Sequence, residues 1–564
     1  MIKRKESFIF YLISAFVFIA PFVYMKGLYN YTDVPQSAFI QVSIVIILAM
    51  FLIVKTLSGD QIRVSRHPMN ITVFILLLWL SVSAIYAHNH FESFTLLSNL
   101  IACILAFFLV QQLKNQSSSV TILKAIYISG VLVSIIGLCQ QLFGLDAIPQ
   151  ASDPASTFAN KNMAAQFITL TFPLFLLFKR KKIFASVCSL LMLSFLFFTG
   201  CNAAWIAVFF ELFLIIFVLN FDFFYRDGRK WCAVLVLIAF ALAPVWKTIY
   251  NKQSAQQRLE MWENTIDMIK DNPVLGVGLG NYKVFYPKYK KSSKFDDIIF
   301  NETIQTKNAH NDILQLTAET GIVGIIIFAS ILFLFFRSIA SVLFNKNDDN
   351  FYAALCICVA MSGIVLNACF SFPFQRPIPP LVCMVYLSIC LNISRNKRIF
   401  FSVPKILSSA FIILLVPGII GLVQYHSNNI KSNHYYLYMK WFEKNAKWNE
   451  VVVLSQMAKN LNPYCKKILS YTARGQIETG DYRKGIENLQ EVLKEYPYNT
   501  NALTNIGVAY IKSGQYQESL SCFSRILEIK PNDKKALINS AVAYVGLNEY
   551  NKAVSIFEKA KMLK

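Results

Sequence analysis

Apolar residues fill most of this chain in long blocks divided by short polar gaps, without the sustained two-faced alternation of a soluble helix or strand. Blocks of roughly 17 to 25 apolar residues are long enough to cross a hydrocarbon core as helices. They lie near residues 8–25, 37–57, 69–87, 94–113, 120–143, 163–178, 183–199, 203–220, 231–248, 316–336, 351–371, 378–393 and 406–424, which predicts about 13 spans. The first block follows Lys3-Arg4-Lys5 and lacks a small-x-small cleavage site, and a second block comes directly after it. It therefore reads as an uncleaved span rather than a signal peptide.

After Tyr425 the chain turns polar and a period of 34 residues appears. Trp448, Tyr482, Tyr516 and Tyr550 form one column, Pro463, Pro497 and Pro531 a second, and Ala473, Gly507 and Ala541 a third. Three columns with one period resemble tetratricopeptide repeats: paired helices, small residues where they cross, and proline ending the second helix. Three repeats are clear, and one around 431–464 is degenerate. The expected fold is all-α, a polytopic bundle over residues 1–425 followed by an α-solenoid over 426–564. Such a tail binds peptides, a protein partner or its own membrane domain.

Composition narrows the class. Hydrophobic residues make up 55% and charged residues 15% of the 564, and mean hydropathy is +0.47. Soluble domains carry roughly a quarter charged residues. The net charge is nevertheless +22. Together these exclude a soluble enzyme, a disordered chain and a nucleic-acid binder. With the N-terminus inside, 21 basic residues line one side of the spans, including Lys179-Arg180-Lys181-Lys182, while the opposite short gaps hold little beyond Lys26, Lys161 and Arg376. This is the positive-inside asymmetry. It predicts that the segments 144–162, 200–202, 249–315 and 372–377 share the outer face, and an odd span count exports the tail. The twelve cysteines lie mostly inside apolar runs, with no metal or disulfide spacing.

The outer segments hold the unusual polar groups. They are Thr157-Phe-Ala-Asn160-Lys161-Asn162, the bend Thr199-Gly-Cys-Asn202-Ala-Ala-Trp205, and Arg376 between Pro373 and Pro377. The long loop adds Gln257-Arg258-Leu-Glu-Met-Trp262, Asp271-Asn-Pro-Val-Leu-Gly276-Val-Gly278-Leu-Gly280, and Ala309-His310-Asn311-Asp312 leading to Glu319-Thr-Gly321. No strand precedes the three loop glycines, so they read as turn geometry rather than a nucleotide fingerprint.

In this order, over roughly residues 100–390, these motifs resemble the O-antigen ligase/polymerase superfamily. The resemblance implies transfer of a glycan from an undecaprenyl-diphosphate carrier to a hydroxyl on the periplasmic side of a bacterial inner membrane, metal-free and inverting. It needs no cofactor, and no acidic cluster here argues for a metal. The acceptor would be lipid A core for a ligase, the glycan's own end for a polymerase, or protein Ser/Thr for an O-oligosaccharyltransferase. Membrane lipids and a protein partner of the tail complete the expected contacts.

That chemistry asks for a cation on the leaving diphosphate and an acceptor for the attacking hydroxyl's proton. A guanidinium binds two phosphate oxygens at once, which nominates Arg258. An imidazole suits proton work near neutral pH, which nominates His310. Glu319 reads first as a helix-orienting partner near His310, and with Asn311 it joins the candidate substrate-binding set. Members of the superfamily often carry Arg before the Ala-Trp of the 200–205 bend, where this chain has Cys201-Asn202. Lys161 or Arg376 is the expected substitute. The rival class is a non-enzymatic transporter or envelope scaffold. A transporter would put ionisable groups deep in broken spans, and Glu211 is the clearest acid inside a span.

Overall fold

A computed structural model describes residues 2–59, 61–113, 116–220, 253–290, 307–394 and 399–563. Its first eight helices are α1 (Ile2–Ile19), α2 (Asp33–Leu57), α3 (Pro68–Tyr86), α4 (His90–Gln111), α5 (Gln116–Phe143), α6 (Lys161–Thr171), α7 (Lys182–Thr199) and α8 (Asn202–Leu219). Beyond them lie two loop helices, α9 (Gln253–Asp271) and α10 (Tyr282–Tyr289), then α11 (Asp312–Leu343), α12 (Phe351–Ala368) and α13 (Ile378–Ile393). Helix α14 (Lys405–Lys444) leads into the tail.

Among the described residues ten helices are long and apolar enough to cross a membrane. Two shorter apolar helices, Phe8–Phe22 and Ile378–Ile393, fall on the first and twelfth expected spans. The ninth expected span, 231–248, lies outside the described residues. The protein is thus a multi-pass membrane helix bundle. Helix α3 shows why: Met69, Val73, Leu76 and Leu80 are buried in the bundle, while Ile71, Phe74, Leu78, Val82 and Ile85 are exposed. A helix apolar on both its packed and its open face has lipid for a solvent.

Polar side chains inside the bundle find one another, since nothing else in hydrocarbon satisfies them. Gln41 donates to Asn99 Oδ1 at 2.8 Å, tying α2 to α4. Asn70 and Gln111 exchange two 3.0 Å hydrogen bonds between α3 and α4. Tyr386 on α13 donates to the Leu170 carbonyl at 2.7 Å. Helix α6 passes into a 3-10 turn at Phe172–Phe178, where Pro173 has no N–H to continue the α ladder. One element escaped the hydrophobic pattern: a two-stranded antiparallel ribbon, β1 (Ile62–Ser65) with β2 (Phe400–Val403).

The tail is a run of seven further helices: α15 (Trp448–Leu461), α16 (Lys467–Glu478), α17 (Tyr482–Glu495), α18 (Thr500–Lys512), α19 (Tyr516–Ile529), α20 (Lys534–Gly546) and α21 (Tyr550–Met562). It folds back onto the bundle. His88 Nε2 lies 2.7 Å from the Lys494 carbonyl, and His434 Nδ1 2.7 Å from that of Gly27. Val284 of α10 joins the apolar core that holds Leu469 and Ala473 of α16.

Candidate functional site

Helix α11 supplies the frame. Asn311 caps it, its Oδ1 accepting from the N–H groups of Ile313 (3.0 Å) and Leu314 (3.1 Å). Ten residues further on the helix breaks at Gly321, whose φ of +66° is a left-handed conformation open to glycine. The break frees backbone carbonyls, and the glycine loop takes them. Val277 N–H donates to Ala318 O and Gly278 N–H to Glu319 O, each at 2.9 Å, while Trp79 Nε1 donates to Thr320 O at 3.1 Å. A side chain on Gly278 would overlap Ala87.

Glu319 closes the same joint. Its carboxylate accepts from Gly280 N–H (2.9 Å), Tyr282 N–H (3.3 Å) and Gln315 Nε2 (3.1 Å). Gln315 in turn accepts the Ala309 N–H at 3.0 Å, which fixes the segment entering His310. Glu319 is therefore a positioning residue for the loop and for His310. Asn311 spends its side-chain oxygen on the cap.

His310 sits just before that cap with φ of +52°. Its imidazole meets the Phe372 ring edge-on, centroids 4.8 Å apart. Burial, then the charges of Arg258 and Arg376, push it down to about 4, so at neutral pH it holds a lone pair and no charge. Arg258 reaches the same wall from α9, donating through Nη1 to the Phe370 carbonyl at 3.1 Å. Burial draws its guanidinium below its ordinary value. The next turn of α9 places Trp262, whose Nε1 donates to Ala309 O at 3.0 Å.

The two expected substitutes for the missing arginine differ. Burial raises the Cys201 thiol, and the positive charges of Arg258 and Lys161 both pull it back. Lys161, at the first turn of α6, thus acts with Arg258 on the charge of the residue that stands at the departure. Arg376 lies over the Phe372 ring at 5.1 Å, and its guanidinium is paired with Asp33. Among the described residues no carboxylate pairs with Lys161 or Arg258, and no three His, Cys, Asp or Glu converge as metal ligands.

A second group of charges had no sequence signal strong enough to nominate it. Glu92, in the first turn of α4, accepts from Lys283 Nζ at 2.5 Å, Lys467 Nζ at 2.7 Å and the Tyr496 hydroxyl at 2.8 Å. Those partners come from the loop, from the start of tail helix α16 and from the residue that caps the end of α17. The one clue was Glu92 itself, an acid opening an apolar run.

Residues 187–329, which carry Cys201, Arg258, His310 and Glu319, match the O-antigen ligase family model. Tetratricopeptide models match residues 476–537 and 535–564. The chain is thus similar to the O-antigen ligase family over residues 187–329, with tetratricopeptide repeats behind that stretch. It is 33% identical over 104 residues to a Rickettsia conorii protein named "Putative polysaccharide ligase", and 30% identical over 115 residues to its Rickettsia felis namesake. Those stretches are 18% and 20% of this chain and 24% and 26% of the relatives; the chain spans about a quarter of the curated relatives it matches. A solved MamA double mutant is similar over 24% of this chain and 75% of its own, at 19% identity and a TM-score of 0.23.

Proposed function

We propose that this protein is a glycosyltransferase of the O-antigen ligase type. It moves a glycan from an undecaprenyl-diphosphate carrier to a hydroxyl acceptor at the periplasmic face of the bacterial inner membrane. Its working parts are a membrane domain over 1–425, with the loop 249–315 over the outer face, and the tail over 426–564. The observation that carries the reading is the convergence of His310 and Arg258, from the two ends of one loop, on the wall Phe370–Phe372.

In this reading the acceptor oxygen attacks the anomeric carbon as its O–H proton passes to the His310 imidazole. The bond from that carbon to the diphosphate breaks with inversion, and its electron pair leaves on the phosphate oxygen. Arg258 and Lys161 hold that developing charge, where a fixed cation in a desolvated site is worth most. The same diphosphate would offset the charge of Arg258 and so raise the basicity of His310 only when donor is present. Metal-free transfer follows from this division of labour.

The test is transfer by purified protein from an undecaprenyl-diphosphate glycan to lipid A core, glycan or peptide acceptors, with wild type beside His310→Ala. Transfer by wild type alone supports the reading, and the acceptor used separates ligase, polymerase and protein glycosylation. Equal transfer by both removes His310 from the chemistry. No transfer with any acceptor favours the transporter or scaffold.

A further inference from the structure

The charges around Glu92 do not balance. Lys283 and Lys467 both reach this one carboxylate. Lys307, three residues before His310, stands close enough for Lys467, Lys283, Arg376 and Glu92 to act on it. Among the described residues Lys307 has no carboxylate of its own. Three ammonium groups thus share one acid.

Solvent reaches all three lysines, and Lys307 is exposed. The Lys283 and Lys467 side chains keep 23% and 41% of their exposure. Even so, desolvation leads the forces that hold Lys307 down to about 8, and it lowers Lys283 too. Neighbouring atoms thus desolvate the ammonium groups in part while solvent still reaches them. Three parts of the chain build the cluster: α4 gives Glu92, the loop gives Lys283 and Lys307, and the tail gives Lys467. The Tyr496 hydroxyl on Glu92 and Phe285 against Tyr498, centroids 6.2 Å apart, fix the tail there.

We propose that Lys283, Lys307 and Lys467 form a second anion site that takes a phosphate or carboxylate substituent on the acceptor saccharide, and that the tail is needed to complete it. This rests on the transferase reading and names its acceptor class: a sugar bearing an anionic group. A cluster with two net positive charges attracts one such group, and ammonium groups suit it because each meets phosphate or carboxylate oxygens as a point charge. Glu92 keeps the lysines apart in the empty site and is displaced from one of them on binding.

Binding is measured on the full-length protein in nanodiscs, with glucose 6-phosphate, glucuronate and glucose as probes. Glucose 6-phosphate or glucuronate should bind and glucose should not, and which anion binds more tightly distinguishes the two substituents. Lys307→Gln and Lys467→Gln should each weaken binding about tenfold, while Lys559→Gln, at the far end of the tail, leaves it unchanged. Lys307→Gln guards against misfolding, because Lys307 makes no ion pair with the described carboxylates. Binding should also weaken as pH rises through about 8, where Lys307 loses its proton. Undiminished binding in both lysine variants overturns the proposal, as does equal loss in Arg258→Gln, which would put the anion in the site already described. If the wild type transfers glycan to no acceptor while the lysine variants still lose the probe, the transferase reading fails and the anion site stands.

Discussion

The candidate site holds two groups of cations, and they are made differently. On one side the charges of Lys161 and Arg258 both act on Cys201, no described carboxylate answers them, and both belong to the membrane domain and its loop. On the other, Lys283, Lys307 and Lys467 share Glu92, and one of them arrives from a helix more than 370 residues away in sequence. An uncompensated pair is costly to assemble and is rewarded only by a strongly charged ligand. A cluster that carries its own counter-charge stands empty at little cost, and binds more weakly. The first arrangement suits a diphosphate and the second a single anionic substituent.

The comparison is best broken at its centre. His310→Ala removes the group both sides serve, and transfer should fall about a thousandfold, read as initial rate at saturating donor. On the inner side, Arg258→Gln and Lys161→Gln should each cost about a hundredfold in kcat/KM for the donor. If Lys161→Gln costs nothing while Arg376→Gln does, the second cation is Arg376 instead. On the outer side, Lys467→Gln should raise KM for an anionic acceptor about tenfold and leave the donor constant unmoved. An equal change in both constants would merge the two clusters into one.

Proton titration gives the smallest and sharpest separation. Because burial and two guanidinium groups hold His310 down to about 4, it stays unprotonated from pH 7 to pH 5. The kcat/KM for the donor, which reports the free enzyme, should therefore survive that interval and fail only as pH drops toward 4. Replacing Arg376 by Gln removes one of the repelling charges and should move the acid limb upward. Raising pH through about 8 discharges Lys307 and should lower turnover severalfold with an anionic acceptor only.

Most of the fold was legible because membrane spans and solenoid repeats are written in single-residue patterns. Twelve of the expected spans lie on described apolar helices, and the aromatic column of the 34-residue period falls where α15, α17, α19 and α21 begin. The site was legible only in part. Arg258 and His310 stand out because spans place a polar motif at the rim, whereas Asn311 and Glu319 look alike in sequence and prove to serve the backbone. Glu92 was passed over because its partners are set by the docking of the tail, which no local pattern encodes. Lys307 was hidden for the same reason: what makes it unusual is the company of Lys283 and Lys467.

The conformation of His310 has a practical side. Its positive φ costs an L-residue about 1–2 kcal/mol, and glycine avoids most of that cost. Removing the imidazole two ways should therefore give unequal products, with His310→Gly melting above His310→Ala. The inactive protein best suited to trapping a bound donor for structure determination is the glycine variant, in which the loss of chemistry comes with a more relaxed chain.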